Sequence, residues 1–197
     1  KIIADYLDKA TTKIDTTIDK QTKLIELLKE KRQAVISHAI TKGLDPNVPM
    51  KDSGVEWLGD VPRGWGVSPL KRISSINSQS LSENYDDDFE INYIDIGSVT
   101  TGFIQKHERM QYSEAPSRAR RIIKEGDILV STVRTYLKAI APVSKSEDSY
   151  IASTGFAVIT PKKNVSSLFL KYSLLSDYFV DLVEAESVGV SYPAINS

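Results

Sequence analysis

The chain has 197 residues, 41% of them hydrophobic, and a formal net charge of −1. This length suits one globular domain plus a long arm, and the hydrophobic content excludes a mostly disordered chain. The absence of cysteine and the presence of only two histidines exclude disulfides, thiolate catalysis and the usual zinc sites. No apolar run is long enough to cross a bilayer and no signal peptide is recognisable, so we expect a cytoplasmic protein. Lys1 in place of methionine indicates a processed or truncated start.

Residues 1–42 predict one long helix that packs against another helix. Apolar side chains alternate at spacings of three and four, as in the heptad seam of a coiled coil. The helix-pairing residues of this seam are Leu7, Ile14, Ile18, Ile25, Leu28 and Val35. No Gly or Pro occurs before Gly43, so we expect the helix to end at Lys42, after roughly 60 Å. Because one helix cannot bury its own seam, we expect a second long helix or a second copy of the chain as its partner.

Residues 43–64 predict an extended linker packed on the following domain. Apolar residues alternate there with Gly and Pro, which favours a segment that anchors the helix over a flexible tether. Trp57 and Trp65 are interpreted as packing residues at this junction.

Residues 65–197 predict a domain of short strands and one further helix. The predicted strands are 91–96, 102–105, 127–132, 137–143 and 156–160, separated by turn residues. The helix is expected to begin at Ser166 or Ser167 and to run to about Glu186. Its apolar stripe is expected to pack on the sheet and consists of Leu168, Tyr172, Leu175, Phe179 and Leu182. The predicted fold is α+β: a long coiled-coil-forming N-terminal helix, then a mixed α/β globular domain with a twisted, mainly antiparallel sheet.

A local basic field lies in the second part of the chain. The stretch 106–138 contains eight Lys and Arg residues against four Asp and Glu residues. Such a field suits a site for a polyanion, although charged runs also occur simply as solvated surface. Enzymatic motifs that bind phosphate, activate a serine or hold zinc are absent, so no catalytic residue, metal or cofactor is assigned.

The residues best suited to bind DNA lie between two predicted strands of this field. Arg134, Thr135 and Tyr136 would be presented at a strand connection, where Arg pairs with guanine or phosphate, Thr contacts a base edge, and Tyr bonds to phosphate or stacks. Upstream arginines would add phosphate contacts. The additional basic candidates are Arg118, Arg120, Arg121 and Lys138.

A second candidate loop closes the chain. Residues 186–197 contain Gly189, which allows a sharp turn, and the short hydrogen-bonding side chains of Ser187, Ser191 and Tyr192. This loop either follows a phosphate backbone or forms an ordered turn.

Residues 2–67 resemble the central conserved region of a specificity subunit from type I restriction-modification systems. Their sequence is IIADYLDKATTKIDTTIDKQTKLIELLKEKRQAVISHAITKGLDPNVPMKDSGVEWLGDVPRGWGV. It includes the entry into the second target recognition domain of that family. Three later pieces, GDILVSTVRTYLKAIAPV, STGFAVITP and GVSYPAINS, are similar to recurrent parts of those domains.

The resemblance implies a non-catalytic subunit that recognises double-stranded DNA. In that family two antiparallel long helices separate two recognition domains, each reading one half of a split target. Two methyltransferase subunits, which bind S-adenosylmethionine and modify adenine, dock on this scaffold, and restriction subunits complete the nuclease. With one helix and one recognition domain, the chain resembles a C-terminal half without its last helix, or part of a longer chain.

The alternative interpretation is a non-catalytic coiled-coil scaffold that binds other proteins. In that case the basic field is incidental. DNA binding beyond weak electrostatic attraction distinguishes the two interpretations.

Overall fold

A computed structural model describes residues 1–82, 85–144, 150–189 and 193–196. Its helices are α1 (Ile2–Lys42), α2 (Leu70–Ile73), α3 (Ser167–Leu174) and α4 (Asp177–Ala185). Its strands are β1 (Met50–Asp52), β2 (Asp60–Pro62), β3 (Ser74–Ile76), β4 (Glu90–Ile94), β5 (Val99–Thr100), β6 (Phe103–Ile104), β7 (Glu108–Gln111), β8 (Ala119–Ile122), β9 (Ile128–Ser131), β10 (Ile140–Pro142), β11 (Tyr150–Ser153) and β12 (Phe156–Pro161). Within these ranges no helix is both long and apolar enough to span a membrane.

The predicted long helix is confirmed as α1, which has 41 residues. It ends at Gly43, whose φ of 79° is a conformation that glycine adopts without a Cβ clash. The apolar seam of α1 faces solvent, since its six predicted pairing residues are each between 52% and 59% exposed. The chain therefore leaves this seam uncovered by its own described residues.

The C-terminal third of α1 is held by the rest of the chain. The Nε2 atom of Gln33 donates a hydrogen bond to the carbonyl oxygen of Leu175 at 2.8 Å. Near the end of the helix, Nζ of Lys42 donates to the carbonyl oxygen of Asp60 at 2.6 Å. These contacts join α1 to both the linker and the helical layer of the domain.

The linker forms a small hairpin in which β1 and β2 are antiparallel. The Trp65 ring packs edge-on against Phe169, with centroids 6.1 Å apart, and the Trp57 ring lies 6.0 Å from that of Tyr178. Both tryptophans thus contact aromatic residues in or beside the C-terminal helices, although Trp57 remains 52% exposed.

Two four-stranded sheets form the body of the domain. The first has the order β10-β9-β12-β3 and the second has the order β7-β4-β11-β8. All strand pairs in them are antiparallel except the parallel pair β4 and β11. The predicted mixed fold with mainly antiparallel strands is therefore confirmed, with the strands divided between two main sheets.

The core lies between these sheets and on their outer faces. Ile94 and Ala152 of the second sheet pack with Leu129, Phe156 and Val158 of the first, and all five are buried. The other face of the first sheet packs on α3 and α4, in a second buried cluster. Strands with two covered faces favour continuous apolar runs such as those of β9 and β12.

The single helix predicted after Ser166 is wrong in extent. The structure has two helices there. Ser176 is buried between them, and its Oγ accepts a hydrogen bond from the Phe179 amide, so that Ser176 caps the start of α4. This break changes which side chains are covered. Leu168, Tyr172 and Leu182 of the predicted stripe are exposed, while Leu170 and Val180 are buried instead.

Candidate nucleic-acid interface

The connection between β9 and β10 is a tight turn with a strained backbone. Residues Thr135–Leu137 form one turn of 3-10 helix, so the strand predicted to begin at Leu137 begins only at Ile140. Arg134 and Lys138, on either side of the turn, have φ values of 50° and 51°. Such left-handed conformations cost a non-glycine residue about 1–2 kcal/mol and are concentrated at functional sites. The turn presents Tyr136 and Leu137 to solvent, with exposures of 48% and 49%.

The fold brings the second candidate loop directly beside this turn. The Arg134 amide donates to the carbonyl oxygen of Pro193 at 2.7 Å, and the Ile195 amide donates to that of Thr132 at 2.8 Å. Val188 and Ala194 exchange two backbone hydrogen bonds, which close the loop on itself. The two segments predicted separately from the sequence therefore form one surface. Ser191 and Tyr192 lie outside the described residues.

The hydroxyls of Thr135 and Ser187 are used inside this surface. Their oxygens are 2.8 Å apart, and Ser187 Oγ also lies 2.6 Å from the carbonyl oxygen of Val183 at the end of α4. Thr135 is only 5% exposed. Its position does not fit the base contact predicted for it, because its hydroxyl is buried and hydrogen-bonded within the chain. The outward side of the turn is formed by Arg134, Tyr136 and Leu137 instead.

Arg118 is an exposed cation near the end of β9. Its Nε donates to the phenol oxygen of Tyr93 at 3.0 Å, an interaction that raises the pKa of Arg118. The carbonyl oxygen of Arg118 accepts a hydrogen bond from the Thr154 amide. The carbonyl oxygen of Gly155, which follows Thr154, accepts hydrogen bonds from both the amide and the hydroxyl of Thr132. Arg118 is thus connected through one short turn to the strand that leads into Arg134.

Arg120 and Arg121 are less available than the sequence suggests. The guanidinium of Arg120 donates to the carbonyl oxygens of Ser117 and Ser82 and to the phenol oxygen of Tyr112. It also lies over the Tyr112 ring, 5.5 Å from the centroid. Arg121 is half-buried, and its buried Nε makes no hydrogen bond within the described part of the chain. Both arginines are integrated into the domain, which does not fit a purely phosphate-contacting role.

The basic field of the sequence is divided in space. Arg109 lies on β7 and Arg118 lies just before β8, and these strands form opposite edges of the second sheet. Arg109 pairs there with Glu90, and this contact holds the pKa of the Glu90 carboxyl below its usual value. The half-buried Lys138 lies beside the turn with Arg134. The cations near the candidate surface are therefore a subset of the predicted field.

Two features of this region were missed in the sequence. Phe103 lies in a predicted strand, yet its side chain is 61% exposed. Gly155 is packed so closely that an added Cβ would lie 2.6 Å from Cδ1 of Ile96 and 3.3 Å from Cγ2 of Val133. The alternation of side chains on either side of the Thr-Gly turn at 101–102 could have predicted that Phe103 is exposed. No local sequence signal predicts the close packing at Gly155. No group of three potential metal ligands occurs among the described residues.

Comparison with known proteins gives a consistent set of relatives. The chain is 32% identical to the type I restriction enzyme HindI specificity subunit of Haemophilus influenzae over 117 residues, which cover 56% of this chain and 26% of that protein. The HsdS subunit from Thermoanaerobacter tengcongensis has a crystal structure that matches 68% of this chain and 37% of its own, with 29% identity and a TM-score of 0.55. The chain is therefore similar to type I specificity subunits in both sequence and fold.

A further solved structure shows the same similarity. It concerns complex assembly and conformational transition of the type I R-M system, and it matches 68% of this chain at 32% identity with a TM-score of 0.62. The chain spans about a third of that structure and a similar share of HsdS. No family model matches the chain.

Proposed function

We propose that this chain is the DNA-recognition part of a type I restriction-modification complex and reads one half of a bipartite target. The observation that carries the proposal is the joining of the Arg134 turn to the loop at 186–196 by backbone hydrogen bonds. Two segments with side chains suited to DNA become one surface in a relative of specificity subunits.

The chemistry of this surface fits duplex DNA. Arg134 offers a planar guanidinium that matches the guanine edge in the major groove, and Tyr136 offers a phenol that bonds to phosphate or stacks. Arg118 and Lys138 add positive charge nearby, which favours binding to the phosphate backbone. The backbone of the turn is held in an unusual conformation, so its side chains are positioned before DNA arrives.

Helix α1 would act as a spacer in this function. Its 41 residues correspond to about 62 Å. Half-sites on one face of DNA are about 34 Å apart, so a paired helix of this length is sufficient to set their separation. The exposed seam supplies the surface for a second long helix or a second copy of the chain.

The remaining partners follow from the proposed place in the complex. Methyltransferase subunits would dock on the chain and bind S-adenosylmethionine, and restriction subunits would join the full assembly. The chain itself would contribute recognition without catalysis, in the cytoplasm.

The proposal is tested by selecting duplex DNA from a random pool with the whole chain and sequencing the bound fraction. We expect one short motif of a few base pairs to be enriched, with affinity that falls as salt rises. The Arg134→Ala variant should lose discrimination between this motif and a scrambled duplex, by about 1–3 kcal/mol. Arg109→Ala is the matched control, because Arg109 lies on an edge strand of the other sheet and pairs there with Glu90. A pool without any enriched motif contradicts the proposal.

A further inference from the structure

The hairpin of β5 and β6 carries an exposed aromatic ring beside the Arg134 turn. Val99 pairs with Ile104, and Thr100 pairs with Phe103. Side chains alternate between the two faces of a strand, so Val99 and Ile104 pack on the core while Phe103 points to solvent with 61% of its surface exposed. We infer that Phe103 is a DNA-contacting residue, which packs its ring against bases of the half-site; this inference rests on the proposed function.

The hairpin is held firmly in place. Its turn residue Gly102 has a φ of 91° and donates its amide to the carbonyl oxygen of Ile140 at 2.7 Å. The hydroxyl of Thr101 donates to the carbonyl oxygen of Lys138 at 2.9 Å. These two bonds dock the hairpin on the residues that follow the 3-10 turn. Phe103 therefore lies two residues after Thr101, which is bonded to Lys138 at the end of the turn.

The two segments that form the hairpin and the turn carry cations and no acidic residue. Segments 99–107 and 133–139 contain Lys106, Arg134 and Lys138 and no Asp or Glu. Helix α1 adds Arg32, whose Nη2 lies 4.0 Å from the position that a Cβ on Gly102 would occupy. An exposed ring on a hairpin that is bonded to Lys138 and lies near Arg32 is complementary to a polyanion that also presents apolar faces.

Duplex DNA meets both requirements. Its phosphates attract the cations, and its thymine methyl groups and base faces are apolar surfaces that a Phe ring covers or partly unstacks. A Phe ring has two side-chain torsions, so little conformational entropy is lost when it is ordered against a base. Phe103 thus adds to the half-site contact an aromatic ring that has no hydrogen-bonding group.

The experiment compares Phe103→Ala with the matched control Leu168→Ala, in the whole chain. Leu168 is 66% exposed on α3, so both changes remove an exposed apolar side chain. We expect Phe103→Ala to weaken binding to the selected duplex by about 10-fold, the order found for base stacking on aromatic residues. The salt dependence should stay unchanged because no charge is removed. Repeated selection should show lost discrimination at one or two base pairs.

Three outcomes overturn the inference. Wild-type affinity and an unchanged selected motif in Phe103→Ala would show that the ring does not contact bases. Equal losses in Phe103→Ala and Leu168→Ala would show a general effect of apolar truncation. Lost association with methyltransferase subunits, at unchanged DNA affinity, would make the ring a protein-docking residue. Failure of the wild-type chain to select any duplex would instead contradict the proposed function. The wild-type result therefore distinguishes a failure of the proposed function from a failure of the inference about Phe103.

Discussion

The hydroxyl oxygens of Thr135 and Ser187 lie 2.8 Å apart, although 52 positions separate these residues in the sequence. Ser187 also bonds to the carbonyl oxygen of Val183, so the strained turn after β9 is connected to the end of α4. The exposed side chains of the turn are thereby positioned by residues that themselves face inward.

Removal of this link should loosen the turn. Thr135→Val keeps the shape of the side chain but deletes its hydroxyl, and we expect a loss of about 1–2 kcal/mol in the free energy of unfolding. Discrimination between specific and scrambled duplexes should fall as well. Urea unfolding and fluorescence anisotropy measure the two effects. Thr16→Val is the control, because its hydroxyl donates to the carbonyl oxygen of Thr12 within the exposed helix α1. Unchanged stability and unchanged discrimination would contradict the positioning role.

Arg118 and Arg120 should differ in their effects. Arg118→Ala removes an exposed cation, so it should weaken binding to all duplexes and reduce the slope of log affinity against log salt by about 1. Arg120→Ala removes the bonds to Ser82 and Tyr112, so it should lower the free energy of unfolding by about 1–2 kcal/mol. Titrations at several salt concentrations and urea unfolding of both variants measure this. Identical behaviour of the two variants would refute the distinction.

Gly155→Ala should destabilise the domain. The added methyl group would lie 2.6 Å from Cδ1 of Ile96 and 3.3 Å from Cγ2 of Val133, so both side chains must move. Overpacking of this kind typically costs about 1–3 kcal/mol. Gly64→Ala is the matched control, since no atom lies within 4 Å of its added Cβ. Chemical unfolding gives the comparison, and an unaltered midpoint for Gly155→Ala would mean that the packing adjusts freely.

Lengthening α1 should lengthen the spacer of the DNA target. Seven residues inserted between Gln21 and Thr22 preserve the heptad register and add about 10 Å, or near three base pairs. The same insertion must be made in the paired helix. Mapping methylated adenines produced by the complete complex reports the spacer length. A four-residue insertion is the control, because it rotates the seam and should impair pairing. An unchanged spacer after the seven-residue insertion would exclude the ruler mechanism.

Much of the secondary structure was predictable because its signals are local. The end of α1 follows from glycine and proline chemistry, and the buried strands β9 and β12 follow from continuous apolar runs. The break between α3 and α4 was missed because Ser176 reads as an ordinary polar residue inside a helical pattern. Its burial and its cap on Phe179 depend on how the helices pack.

The long helix with its open seam, and the strand connection that carries Arg134, follow from spacing and turn chemistry between neighbouring residues. The composition of the surface does not, because it depends on contacts between distant segments. Chain folding joins Thr135 to Ser187 and directs the Arg120 guanidinium onto Tyr112. It also places Arg109 and Arg118 at opposite edges of the second sheet. Sheet order and hydrogen bonding across the domain determine which polar groups remain exposed, and no local pattern encodes that order.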